Sequence, residues 1–135
     1  MKRKGECRVR VIYADTDAMG VVYHANYLKW FERGRVELLR EMGIVYADFE
    51  SGGYSIPVTK MGCHYLSPAR YDDVVVIETE ITALGRASIR FDYVIRNEEE
   101  RRILARGFTL HPFTNTEGKI MRVPKYIAER INGER

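Results

Sequence analysis

Asp17 and His24 stand in a polar, turn-forming run that begins at Tyr13 and leads into a helical pattern. A carboxylate can act as a general base toward water or attack an acyl carbon itself. The first N–H groups of a helix have no intrahelical acceptor and lie at the positive end of its dipole, where they can stabilise a developing oxyanion. A carboxylate and an imidazole in the loop that feeds such an end suit the hydrolysis of an activated carbonyl. The alternative reading is structural, because Asp15, Thr16 and Asp17 are also common helix caps and turn formers, and Gly20 permits backbone angles that other residues avoid.

The elements around this run are legible from periodicity. Cys7, Val9, Val11 and Tyr13 alternate with Arg8, Arg10 and Ile12, which predicts a half-buried strand entering the Asp17 loop. Tyr27, Leu28, Phe31, Gly34, Leu38 and Met42 form one apolar stripe, predicting a helix from about Ala25 to Met42 that Gly43 stops. Gly34 weakens that helix by about 1 kcal/mol relative to Ala, so a close neighbour is expected against it. Val45 to Ser51 adds a short helical stretch, and strands follow at Tyr54–Leu66, Val74–Leu84, Ala87–Arg96 and Ile103–Phe113. Pro57 marks an edge or irregularity in the first of these. Leu84, Gly85 and Arg86 make a hairpin connection, and Pro124 starts a short helix over about Lys125 to Ile131. One helix covers one face of a sheet. Periodicity leaves open whether the set Ile89, Phe91, Tyr93 and Ile95 faces it, and the other face needs a polar surface or a partner.

Composition narrows the classes. A chain of 135 residues, 45% hydrophobic with nine tyrosines, suits a single domain over residues 1–135 and argues against disorder. No apolar run approaches the roughly 20 residues of a membrane span, and Met1 to Glu6 leads into no signal-peptide core, so a cytoplasmic protein is expected. Cys7 and Cys63 read as reduced, buried thiols, and His24, His64 and His111 lack metal-ligand spacing, so no metal is expected. The net charge of +3 is spread among acidic residues, apart from Lys2 to Lys4 and Arg101 with Arg102. That pattern argues against nucleic acid and suits a compact polyanion or a merely soluble surface.

The run D-T-D-A-M-G-V-V-Y-H-A-N-Y-L-K-W-F-E-R resembles the signature of the 4-hydroxybenzoyl-CoA thioesterase family, and within it the Tol-Pal-associated acyl-CoA thioesterase branch. Met19 departs from the small residue expected there and would narrow the acyl pocket. The resemblance implies an α+β hotdog fold, one long helix wrapped by a curved antiparallel sheet of about five strands, with a short C-terminal helix. It also implies edge-to-edge dimers that often stack as tetramers. The implied substrate is an acyl-CoA, with acyl carrier protein as an alternative carrier of the acyl group. Coenzyme A is then part of the substrate, and no separate cofactor is expected.

A thiolate leaving group with a pKa of roughly 8.5 needs little acid assistance, so one carboxylate and one oxyanion site suffice for a thioester. Asp17 is the expected base or nucleophile, and the His24 N–H the expected oxyanion donor. By resemblance the His24 imidazole assists, and Tyr13, at the expected end of the first strand, completes the polar cluster. Gly20, Val21, Val22, Tyr23 and Tyr27 are candidates to shape the acyl pocket, although apolar residues beside a helix start are commonly core. Thr59, Lys60, Arg86 and Ser88 are candidates for coenzyme A, with Arg130 as a competing cation. Asn26 is expected to cap or position the helix, Glu32 to pair with Arg33 or Arg35, and His64 and His111 to be structural. The competing function is a non-catalytic acyl-CoA-binding or envelope-complex adaptor protein.

Overall fold

The computed structural model describes residues 3–133; Lys2, part of the basic start, lies outside them. β1 (Lys4–Arg10) is followed by a 3-10 turn at Tyr13–Asp15, then α1 (Asn26–Glu41) and α2 (Tyr46–Ser51). β2 (Tyr54–Ser55), β3 (Lys60–Tyr65), β4 (Val74–Leu84), β5 (Ser88–Asn97), β6 (Ile103–Pro112) and β7 (Thr114–Asn115) lead to α3 (Lys125–Asn132). The large sheet is antiparallel in the order β1-β4-β5-β6-β3, and β2 pairs with β7 separately. One long helix against five strands, with a short helix at the end, is the hotdog architecture the resemblance implies.

The register settles which face is internal. Ile89, Phe91, Tyr93 and Ile95 are buried, and Phe31 of α1 stacks on Tyr93 with ring centroids 4.3 Å apart. The opposite face carries its own polar surface: Arg8 pairs with Glu98, and Arg96 bridges Glu6 and Glu78. Gly34 is where α1 meets β4, since a Cβ there would lie 2.8 Å from Ile77 Cγ2 and closer still to Thr79 Oγ1. The close neighbour expected from the sequence is therefore Ile77 with Thr79.

Three local expectations change. The Tyr54–Leu66 run is two strands, interrupted at Ile56 to Thr59, because Pro57 has no N–H for a ladder. The helix stripe is shifted: Trp30 is fully buried, whereas Leu28 is exposed. Tyr13 belongs to the 3-10 turn rather than to β1, and its ring is 78% exposed. No helix among the described residues is long and apolar enough to cross a membrane.

Candidate active site

Residues 15–23 form a narrow hairpin that carries Asp17 to the start of α1. Tyr23 N–H donates to Asp15 O at 2.9 Å and Asp17 N–H to Val21 O at 2.9 Å, while Gly20, at φ +79°, turns the chain between them. No heavy atom would lie within 4 Å of a Cβ on Gly20, so the requirement there is conformational. Asp17 Oδ1 accepts the Met19 N–H at 2.8 Å; Oδ2 has no hydrogen-bond partner among the described residues. Met19 is 82% exposed at the hairpin tip and is not among the residues lining the cleft at the start of α1.

The hairpin is held by Asp15, which the sequence reads as a cap or turn former without revealing its partner on α1. Asp15 is buried, accepts the Ile12 N–H at 3.0 Å and pairs with Lys29 of α1 at 2.8 Å. Burial disfavours its charge, but the Lys29 ammonium and the Ile12 N–H outweigh that cost and hold its carboxyl below the usual range. Asn26 Nδ2 donates to Asp15 O at 2.8 Å, so Asn26 positions the helix start by tying it to the hairpin, while the N-cap is Ala25. The signal for Asp15 was present as the first aspartate of D-T-D, but spacing does not separate an anchoring carboxylate from a reactive one.

An open cleft of about 310 Å³ lies at the N-terminus of α1, lined among others by Val21, Val22, His24, Tyr27, Tyr65 and Leu66. The backbone donors beside it divide cleanly. Tyr23, Asn26, Tyr27 and Leu28 all donate to carbonyls, whereas the N–H groups of His24 and Ala25 have no acceptor among the described residues. His24 is exposed, with its ring between Tyr23 (centroids 4.4 Å apart) and Tyr65 (6.2 Å). Tyr65, also unanticipated, packs edge-on against Tyr27 and donates its hydroxyl to His24 O at 2.8 Å. Burial and the neighbouring Cys63 thiol push the Tyr65 phenol up to about 12, so it remains a donor at neutral pH. Burial likewise raises the Cys7 and Cys63 thiols and keeps them protonated.

Not every candidate converges here. Val22 is buried and bonded to Ala69 O, which makes it both core and cleft wall, and Tyr27 is buried against Trp30. Tyr13 lies edge-on against Tyr71 at 5.7 Å and makes no contact with Asp17 or His24 among those found between described residues. Glu32 lines a separate cleft beside Arg35, Tyr46 and Ile56 and pairs with neither Arg33 nor Arg35 among the described residues; Glu37 and Arg40 form an ion pair within α1. His64 is exposed on β3, and His111 is fully buried and structural.

The coenzyme candidates fall in two places. Thr59 and Lys60 lie at the start of β3, where the Thr59 hydroxyl donates to Leu110 O at 3.2 Å. Arg86 is exposed in the β4–β5 hairpin, Gly85 N–H donates to Ser88 O, and Ser88 opens β5. β6 lies between that hairpin and β3, with Lys60 opposite Leu110 and Leu110 opposite Arg90, and neither Lys60 nor Arg86 forms an ion pair among the described residues. Arg86 O instead accepts the Val123 N–H at 2.9 Å, which joins the segment carrying the exposed Arg122 to the hairpin. Arg122 is a cation whose sequence position, far from the hairpin, concealed its neighbour. Arg130, the competitor, donates to Gly43 O.

The family described as Thioesterase superfamily matches residues 19–104. The acyl-CoA thioester hydrolase YbgC of Escherichia coli O157:H7 is 44% identical over 91 residues, 67% of this chain and 68% of its own. A hypothetical protein from Thermus thermophilus superposes with a TM-score of 0.90 at 32% identity, covering 96% of this chain and 98% of the other. A DHNA-CoA thioesterase from Staphylococcus aureus does so with a TM-score of 0.88 at 30% identity, covering 93% and 85%. With a match over most of its length and a shared fold, this chain belongs to the thioesterase superfamily.

Proposed function

We propose that the protein is an acyl-CoA thioesterase that hydrolyses an acyl-CoA to a free acid and coenzyme A. The observation that carries this reading is the pair of N–H groups, His24 and Ala25, without acceptors among the described residues, at the helix start beside a cleft and the hairpin that holds Asp17. A thioester oxygen directed at those donors gains stabilisation as negative charge develops on it. Asp17, with one carboxylate oxygen anchored and the other unbonded among the described residues, supplies the base toward water or the nucleophile. The thiolate departs without a dedicated acid, and the reaction so drawn uses no metal and no cofactor beyond the coenzyme carried by the substrate. Arg86 and Arg122 receive its phosphates, and the His24 imidazole stands at the cleft mouth.

In this reading two copies pair along β3. That strand ends the sheet, and Val58, Met61, Tyr65 and Leu66 leave apolar surface along it. Lys60 and Thr59 of one copy then serve a site completed by the other.

The experiment is thiol release from a panel of short, medium, long and aromatic acyl-CoAs, with wild type and Asp17→Asn side by side. Turnover of some member that falls about 100-fold or more in the variant supports the reading. Wild-type inactivity on every member, with binding retained, would favour the adaptor function instead.

A further inference from the structure

The peptide unit joining His24 to Ala25 is bonded on one side only. Its carbonyl accepts two hydrogen bonds, from Tyr27 N–H at 3.2 Å and from the Tyr65 hydroxyl at 2.8 Å, which uses both lone pairs. Its N–H, that of Ala25, has no acceptor among the described residues. Carbonyl and N–H belong to one planar, resonance-coupled unit, so donation to the oxygen draws electron density away from the nitrogen and strengthens the N–H as a donor. The plane also fixes direction: a group that holds the oxygen holds the N–H vector. Tyr27 belongs to α1 and moves with it. Tyr65 comes from β3, across the cleft, and anchors the peptide to the sheet.

We propose that Tyr65 is a positioning residue of the oxyanion site, aiming and polarising the Ala25 N–H through the peptide it shares with the His24 carbonyl. The inference rests on the thioesterase reading of this cleft and deepens it: the oxyanion site has two donors, His24 N–H and Ala25 N–H, and the second is set by a side chain on another strand. Three features fit. Ala25 has the smallest side chain that is not glycine, leaving access to its N–H open. The Tyr65 ring is already fixed edge-on by Tyr27, at 5.0 Å, so its hydroxyl is held in place before substrate arrives. Its phenol stays protonated at neutral pH, as a donor must.

The test is Tyr65→Phe, which keeps the ring and removes one hydroxyl. With an acyl-CoA that wild type turns over, kcat is expected to fall about tenfold while KM changes less than twofold, because an oxyanion donor acts on charge that develops after binding. Isotope-edited infrared spectra supply a readout that general loosening of the fold does not move. In an Asp17→Asn background that retains substrate, the bound thioester carbonyl stretch is expected at lower frequency than in water, and adding Tyr65→Phe returns it part of the way. An unchanged kcat, a loss confined to KM, or an unshifted carbonyl band on adding Tyr65→Phe would overturn the proposal. A thermal melt accompanies each variant, and Tyr65→Leu, which removes ring and hydroxyl together, should reduce kcat at least as much as Tyr65→Phe. If wild type hydrolyses no acyl-CoA, the thioesterase reading fails first and the inference falls with it; wild-type turnover with an indifferent Tyr65→Phe defeats the inference alone.

Discussion

Lys29 Nζ lies 2.8 Å from Asp15 Oδ1, so the first turn of α1 is tied directly to the hairpin that carries Asp17. The pair is lopsided: the lysine side chain is 59% exposed and the carboxylate 6%. Losing the two partners therefore has unequal consequences. Asp15→Asn leaves a lysine that water can solvate, and is expected to lower stability by about 1–2 kcal/mol. Lys29→Met strands a buried carboxylate with only the Ile12 N–H, and should cost more, on the order of 3 kcal/mol near neutral pH. The stranded carboxyl has a raised pKa, so the Lys29→Met deficit should shrink as pH falls through the carboxylate range. Urea unfolding of both variants at neutral and acidic pH checks the order and its sign.

Gly34 makes a second asymmetric prediction. Alanine improves intrinsic helix propensity by about 1 kcal/mol, yet its Cβ would press into Ile77 and Thr79, where overpacking costs about 1–3 kcal/mol. Gly34→Ala should therefore destabilise. Thr79 Oγ1 is buried with no hydrogen-bond partner among the described residues, so Thr79→Ala removes both an unpaired hydroxyl and the nearer of the two obstacles. The double variant should recover part of the loss, with Ile77 still in the way, which denaturant midpoints for the four-member cycle will measure.

The helix, the strands and the hairpin at Gly85 were legible because each has a local signal: an apolar period, a turn residue, a proline. Gly34 was legible as a close approach because glycine in a helix costs stability, although its partners, Ile77 and Thr79, are far away in sequence. The candidate site was legible at Asp17 and His24 for a similar reason, since both sit where a loop becomes a helix. Asp15, Tyr65 and Arg122 were not. Asp15 differs from Asp17 only in being buried, which depends on where Lys29 falls. Tyr65 acts from β3, and Arg122 is placed by the bond between Val123 and Arg86. The place of Tyr13 at the end of the first strand was misread, because alternation that continues past Arg10 in the sequence stops there in the fold.

His111 predicts how stability responds to acid. Its Nδ1–H donates to Ile56 O at 2.8 Å, so Nε2 must accept from Thr109 Oγ1 at 2.7 Å, and Tyr93 in turn donates to Thr109 at 2.6 Å. A neutral ring fits this chain; a protonated one would have to reverse the Thr109 and Tyr93 hydroxyls and would bury a charge that Arg35 repels. Burial, partly offset by Ile56 O and reinforced by Arg35, lowers its pKa to about 4 from the ordinary 6.5. The unfolded chain thus takes up the proton first, and the contribution is complete above about pH 6.5 and lost as pH falls toward about 4. It amounts to about 3 kcal/mol. His111→Gln should be less stable near pH 7 and show a flatter decline over that window, measured by urea unfolding.

Arg86 and Arg122 give the prediction that separates coenzyme recognition from chemistry. They lie on segments joined by the Val123 N–H to Arg86 O bond, both exposed, and away from the cleft-lining residues at the α1 terminus. A phosphate held there is bound equally in ground and transition states, so losing it should act on KM and spare kcat. Arg86→Ala and Arg122→Ala are each expected to raise KM for an acyl-CoA about three- to tenfold, and to flatten the rise of KM with salt, because fewer charges remain to be screened. The same acyl group on N-acetylcysteamine, which keeps the thioester and lacks the nucleotide, should show the same kcat/KM in wild type and both variants. A loss on the truncated thioester as large as on the acyl-CoA would place these arginines in the reaction centre or in the fold, and remove them from coenzyme recognition.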